Sequence, residues 1–320
     1  MPNLHALIAI DHDDHVESLR QITSQWAEDH ATKITLLGVT PQLSPHMLNP
    51  KMASVAKDAE KSMLADLRDR VDYVKAGLVG DIDVQFAAGR ISDEIIKVAL
   101  LHNADIIIKS ADRNIGEKSP VFGAVEKKLI RRSPIPVWII RSEKRHDHKR
   151  IAVAIDNVST APHKAEAELL AASLLNYASD LAVRFGVKDI QLIHAWSAVG
   201  VHFLEHPRAS LSPADIQSYV DEWQDVTAQW LDGFIQETEK RLKGKNLRFI
   251  PKLVMGDARF IIPKTVAEED LDLLIMGSAN RSGLPGLFIG NTAEDMIDKL
   301  SCSTFVVKPE GFTSVFAKSA

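Results

Sequence analysis

A long internal repeat constrains this 320-residue chain more than any other feature. Gly89, Ser110 and Gly123 recur, at a constant offset of 167 and without a gap, as Gly256, Gly277 and Gly290. The same offset pairs Asp105 with Asp272 and Trp138 with Phe305. Earlier in each copy the offset is smaller, 145 for Asp11 and Asp156 and 156 for Ile34 and Ile190, so each of two intervening helical regions gains 11 residues in the second copy. Similarity sustained over this length means that one structural plan is used twice.

Within each copy, short apolar runs alternate with longer stretches of helical period, the pattern of a parallel sheet with crossover helices. In the first copy we expect strands at 6–11, 34–40, 83–87, 105–110 and 137–141, with helices at 16–30, 51–75, 92–102 and 124–132. The second copy reads as strands at 151–156, 190–196, 248–255, 272–277 and 304–308, with helices at 164–185, 213–242, 261–268 and 292–300. The expected fold class is therefore α/β, as two tandem five-stranded parallel-sheet domains at 1–143 and 150–312. The charged segment 142–150 (SEKRHDHKR) serves as a short linker. Both fifth strands are apolar and would otherwise be open sheet edges. Pairing them would make an intrachain pseudo-dimer, with other surfaces left for a homodimer.

Composition narrows the partners. Lys plus Arg number 38 against 43 Asp plus Glu, a net charge of −5, which argues against nucleic acid. One cysteine, Cys302, excludes a disulfide framework and suits a reducing compartment. The N-terminus lacks the pattern of a signal peptide and no apolar run approaches membrane-spanning length. These features lead us to expect a soluble, cytoplasmic protein with no membrane partner.

In open α/β sheets, ligands sit outside the carboxyl ends of the strands near the point where strand order reverses. That rule selects Asp11 and Asp156, the ends of the second strands, and the loops after the fourth strands. The later loop, from Met276-Gly277-Ser278 through Asn280 and Arg281 to Gly290-Asn291-Thr292-Ala293-Glu294, carries four glycines and opens a helix. Bare backbone and free helical N–H groups suit a phosphate. Asn291 with Glu294 is equally a plain helix cap.

Two histidine groups admit readings of the same double kind. His12, Asp13 and His15 are metal-ligand types in a row, although adjacent residues rarely converge on one ion and a hydrated turn explains them too. In the linker, His146 and His148 have basic neighbours that oppose a cation. His194 on its strand is a ligand-edge residue or a satisfied core histidine. Along 213–242, Trp223 and Trp230 belong to an apolar stripe that suits core packing or the wall of a pocket. No nucleophile elbow or Walker lysine is present, which points to binding rather than catalysis.

The strand–loop–helix from Leu274 to Glu294 resembles the hallmark segment of the universal stress protein family, whose nucleotide-binding members carry Gly, two residues, Gly, nine residues, Gly, then Ser or Thr. Gly277 and Gly290 fall on the first and third glycines, Asn280 replaces the second, and Asn291 replaces the hydroxyl residue. The tandem plan and the tail Lys308-Pro309-Glu310-Gly311-Phe312 are also similar to tandem members of the family. This resemblance implies a Rossmann-like, adenine nucleotide alpha-hydrolase-like fold and a stress-resistance role through ligand binding. It also implies ATP or AMP with Mg²⁺ in the second domain. Asp156 would then meet the adenosine end, Ile193 and His194 the adenine edge, Met276 and Gly277 the ribose and phosphates, and Asn280, Gly290, Asn291 and Thr292 the phosphate cradle. In the first copy the matching residues are Ser110, Arg113, Gly123 and Ala124, with Glu126 in the same helix turn, so no such cradle is expected there. Rival readings are a slow ATPase using the second-domain cradle, and a carrier of an apolar or phospholipid-like molecule.

Overall fold

The computed structural model describes residues 4–28, 32–42, 50–111, 123–141, 147–158, 163–204, 206, 211–278, 291–312 and 316. The first lobe runs β1 (His5–Ile10), α1 (Val16–Ala27), β2 (Lys33–Pro41), α2 (Pro50–Lys75), β3 (Ile82–Gly89), α3 (Ile91–Leu101), β4 (Ile106–Ser110), α4 (Ala124–Arg132) and β5 (Val137–Ile140). Its repeat runs β6 (Ile151–Ala154), α5 (Lys164–Phe185), β7 (Asp189–Trp196), α6 (Val201–Leu204), α7 (Pro213–Arg241), β8 (Arg248–Met255), α8 (Ala258–Glu268), β9 (Leu273–Gly277), α9 (Asn291–Ile297) and β10 (Ser303–Val307).

All ten strands join one sheet in the order β3-β2-β1-β4-β5-β10-β9-β6-β7-β8. Each half is parallel, with order 3-2-1-4-5, and the strand order reverses between β1 and β4 and between β6 and β9. The halves meet where β5 and β10 pair antiparallel, with Phe305 opposite Trp138. One core layer runs across both halves on the face of α1, α2, α5 and α7, and contains Trp26, Trp138, Phe185 and Phe305. A second layer covers the opposite face under α3, α4, α8 and α9 and likewise draws on both halves.

The repeat persists in individual hydrogen bonds. Asp105 accepts from the His5 amide at 2.8 Å, and Asp272 accepts from the Arg150 amide at 2.9 Å. Asn103 and Asp270, also 167 apart, both take positive φ, 51° and 47°, in the turn that delivers β4 and β9. Asn and Asp tolerate that region better than other side chains. Most of the first insertion is spent inside a helix, since α1 has 12 residues and α5 has 22. The second insertion produces the short α6, which the sequence pattern did not reveal. Ser212 and Asp215 then form a capping box that starts α7, with Pro213 inside its first turn.

Three expectations are corrected. Helix α1 stops at Ala27. Helix α8 starts at Ala258, earlier than expected, because the Asp257 carboxylate accepts the Arg259 amide at 2.9 Å and caps it there. The end of the charged linker is not a solvated tether. His148 is fully buried, with its ring 5.1 Å from Trp138 and 5.0 Å from Phe185, so the aromatic ring outweighs the polar neighbourhood. Its partner in the sequence, His146, lies outside the described residues. Among the described residues no helix is long and apolar enough to cross a membrane.

Candidate functional site

At the carboxyl edge of the second lobe, β6 ends beside β7 and β9. Asp156 follows β6, is exposed, and accepts the Asn157 amide at 2.9 Å. Ile193 is fully buried in β7, and its carbonyl accepts the Ile155 amide at 3.0 Å. His194 turns its Nδ1 to the Ile155 carbonyl at 3.0 Å, which assigns the proton to Nδ1 in the neutral ring. Its ring meets Trp230 of α7 edge-on at 4.9 Å. Burial holds its pKa below the usual value, so the ring is neutral at pH 7. His194 is thus fastened into the layer between β6 and α7, next to the edge it was expected to line.

Met276 is buried and Gly277 closes β9. A Cβ at Gly277 would lie 2.8 Å from Leu170 Cδ2 of α5, so a side chain there would have to displace the leucine tip. Asn291 and Thr292 are the first two residues of α9, with their side chains outside the described part. Asn280 and Gly290 lie outside the described residues, as does Arg113 of the first lobe. Trp223 and Trp230 serve packing. The first joins a small cluster with Trp196, Val201 and Val220, and the second stacks on Phe234 at 5.8 Å.

The matching edge of the first lobe is built differently. Lys109, in register with Met276 of the second copy, is 1 % exposed at the end of β4. Its Nζ lies 2.7 Å from Asp14, 3.2 Å from Asp11 and 3.3 Å from Glu126 in the first turn of α4. The Asp11 amide donates to Asp14 at 2.7 Å and the His15 amide to Ser110 Oγ at 3.0 Å, which folds the turn over the strand ends. Burial, with Asp11 adding repulsion, pushes the Asp14 carboxyl well above its ordinary range despite Lys109. Burial would also raise Asp11, but Lys109 and the Asp13 amide together hold it lower. Lys109 is held above its usual value because its three carboxylate neighbours outweigh its burial. An ammonium and a helix-end carboxylate thus fill the space between the ends of β1 and β4 and the first turn of α4.

This cluster was missed from sequence. Its signal was a lone lysine closing the apolar run Ile106-Ile107-Ile108, opposite Asp11, which follows β1. The metal candidates do not converge. His12 Nδ1 faces Asp66 at 3.1 Å, while His15 caps α1 and meets Ser18 Oγ at 2.8 Å. The Asp13 amide donates to Asp11 at 2.9 Å. No group of three His, Cys, Asp or Glu side chains suited to a metal occurs among the described residues.

Fold and site together define a tandem α/β protein whose two carboxyl edges differ in the residues they carry. Residues 3–141 and 148–308 each match the model of the universal stress protein family, and the chain belongs to that family. It is 23% identical to "Universal stress protein E" of Escherichia coli K12 over 240 residues, covering 75% of this chain and 72% of that one. A homologue of that protein in Haemophilus influenzae is 26% identical over 213 residues, 65% of this chain and 63% of the other. Among solved structures, a functionally unknown protein of Pseudomonas aeruginosa PAO1 superposes with a TM-score of 0.63 at 20% identity, covering 98% and 94% of the two chains. A universal stress protein of Archaeoglobus fulgidus gives 0.58 at 16%, covering 96% and 97%. Both structures share the fold across the full tandem.

Proposed function

We propose that this tandem universal stress protein acts as a ligand-binding regulatory protein in bacterial stress resistance, taking an adenine nucleotide with Mg²⁺ at the second lobe only. The observation that carries the reading is the asymmetry between the copies. Where the first lobe places Lys109 and Glu126, the second has the uncharged residues Met276 and Ala293, so the buried ammonium–carboxylate cluster has no counterpart at these two positions. A helix N-terminus favours an anion, and the carboxylates Glu294 and Asp295 come only after the first three residues of α9. Gly277 supplies bare backbone at the strand end, and Asp156 stands exposed at the other side of the crevice. The arrangement supports binding over catalysis, because phosphoryl transfer also requires a group that orients water, and none of the assigned residues does so.

Native mass spectrometry before and after addition of ATP–Mg²⁺ tests this. We expect one nucleotide per chain, lost in Thr292→Glu, whose carboxylate would oppose phosphate at the start of α9. Retention of nucleotide by that variant would contradict the reading. Phosphate release above background in the wild-type samples would assign slow turnover to the same site.

A further inference from the structure

We propose that Lys308 and Ser278 form a binding site for a phosphoryl-type oxyanion at the carboxyl ends of β9 and β10. Strand register brings the two residues together. Val307 pairs with Gly277 in the parallel ladder, and the Ser278 amide donates to the Val307 carbonyl at 3.0 Å, so Lys308 stands level with Ser278. Met276 and Val306, two residues earlier, both enter the core layer under α8 and α9, so the period of two sends the Ser278 and Lys308 side chains to that same face.

Both side chains are buried and unsatisfied. Ser278 is 2 % exposed and Lys308 is 8 % exposed, and neither Ser278 Oγ nor Lys308 Nζ has a hydrogen-bond partner among the described residues. Buried polar groups are ordinarily bonded, and an unpaired ammonium is the least tolerable of them. The ring of Phe312, in the turn after Gly311, lies 4.7 Å from the ammonium. The equivalent residue of the first lobe finds its partner across the seam, in the second lobe. Arg141, 167 residues earlier, donates from Nη2 to the Leu300 carbonyl at 2.8 Å. At the ends of β9 and β10 a donor pair, one cationic and one hydroxyl, is left level in register, buried and without a hydrogen-bond partner among the described residues. Such a pair matches a tetrahedral oxyanion, which accepts from both.

Burial alone pushes Lys308 down to about 7. An oxyanion on the ammonium would raise that value, so binding near neutrality takes up a proton. Two sources share the chemistry: a free oxyanion, or the phosphoryl end of a nucleotide held in the second lobe.

Calorimetric titration at pH 7 in buffers of different ionisation enthalpy separates these sources. The probes are sulfate, which does not itself titrate there, and ATP–Mg²⁺. For wild type we expect saturable binding of at least one probe with uptake of about half a proton, because an amine of pKa about 7 is half protonated at that pH. Lys308→Met should weaken that binding at least tenfold and abolish the uptake. Lys308→Arg, which keeps the charge, should bind without proton uptake and serves if the methionine variant fails to fold. Uptake with sulfate assigns a free oxyanion, and uptake with ATP–Mg²⁺ alone assigns the nucleotide. The proposal is overturned if neither probe binds with proton uptake, or if the uptake persists in Lys308→Arg. ATP–Mg²⁺ binding without uptake would overturn this site and leave the nucleotide reading intact.

Discussion

Replacing Lys109 by methionine is expected to lower the unfolding free energy by about 3–5 kcal/mol, the range for breaking a buried ion pair by removing one partner. The side chain is nearly isosteric, so the loss is electrostatic. Asp11 and Glu126 would remain buried without the ammonium that lies 3.2 and 3.3 Å away. Denaturant titration checks this, and a second change separates the causes. Adding Asp11→Asn to Lys109→Met should recover part of the loss, because one of the stranded charges goes with it.

Asp14→Asn is the contrasting case. The folded state holds the Asp14 proton at a pH where the unfolded chain has released it. A raised carboxyl of this kind contributes stability fully only below its unfolded value of 3.8, and the contribution is lost as pH rises through the higher folded value. Asp14→Asn removes the group that titrates, so that part of the decline with pH should disappear in denaturant titrations run across pH. An unchanged decline with pH in Asp14→Asn would contradict the upward shift.

Trp138→Ala should cost about 3–5 kcal/mol, as for other fully buried large aromatic residues. Trp138 stands at the seam. It faces Phe305 across the β5–β10 pair at 6.3 Å, Trp26 of α1 at 5.8 Å and Phe185 of α5 at 5.9 Å. Because the core layer runs through it from one half to the other, the variant should weaken both halves together. We expect a single denaturation transition moved to lower denaturant, with Trp138→Phe retaining most of the lost stability. Two separate transitions, one of them at the wild-type midpoint, would show that the seam does not couple the halves.

The repeat was the most legible part of the sequence, because strands of a doubly wound sheet need both an apolar period and a fixed register, and both survive divergence. Asp105 and Asp272 share identity and spacing since each supplies a carboxylate to an amide that opens a strand. Lys109 was illegible for the opposite reason. Its role depends on Asp11, Asp14 and Glu126, which come from two distant segments, and one-dimensional pattern registers only a charge at the end of a strand. His148 misled through its neighbours, since a charged run conceals one ring that the aromatic cluster takes inside. Lys308 was read as the end of the strand at 304–308 and the start of a tail, and its burial follows from β10 lying at the middle of a ten-stranded sheet, not at an edge.

Hydrogen–deuterium exchange of the intact chain with and without ATP–Mg²⁺ tests the central claim most directly, that two copies of one plan now differ in which edge accepts an anionic ligand. We predict added protection in peptides covering the ends of β6 and β9 and the start of α9, with no change at the ends of β1 and β4 or the start of α4. Protection confined to the first lobe, or equal in both, would contradict it.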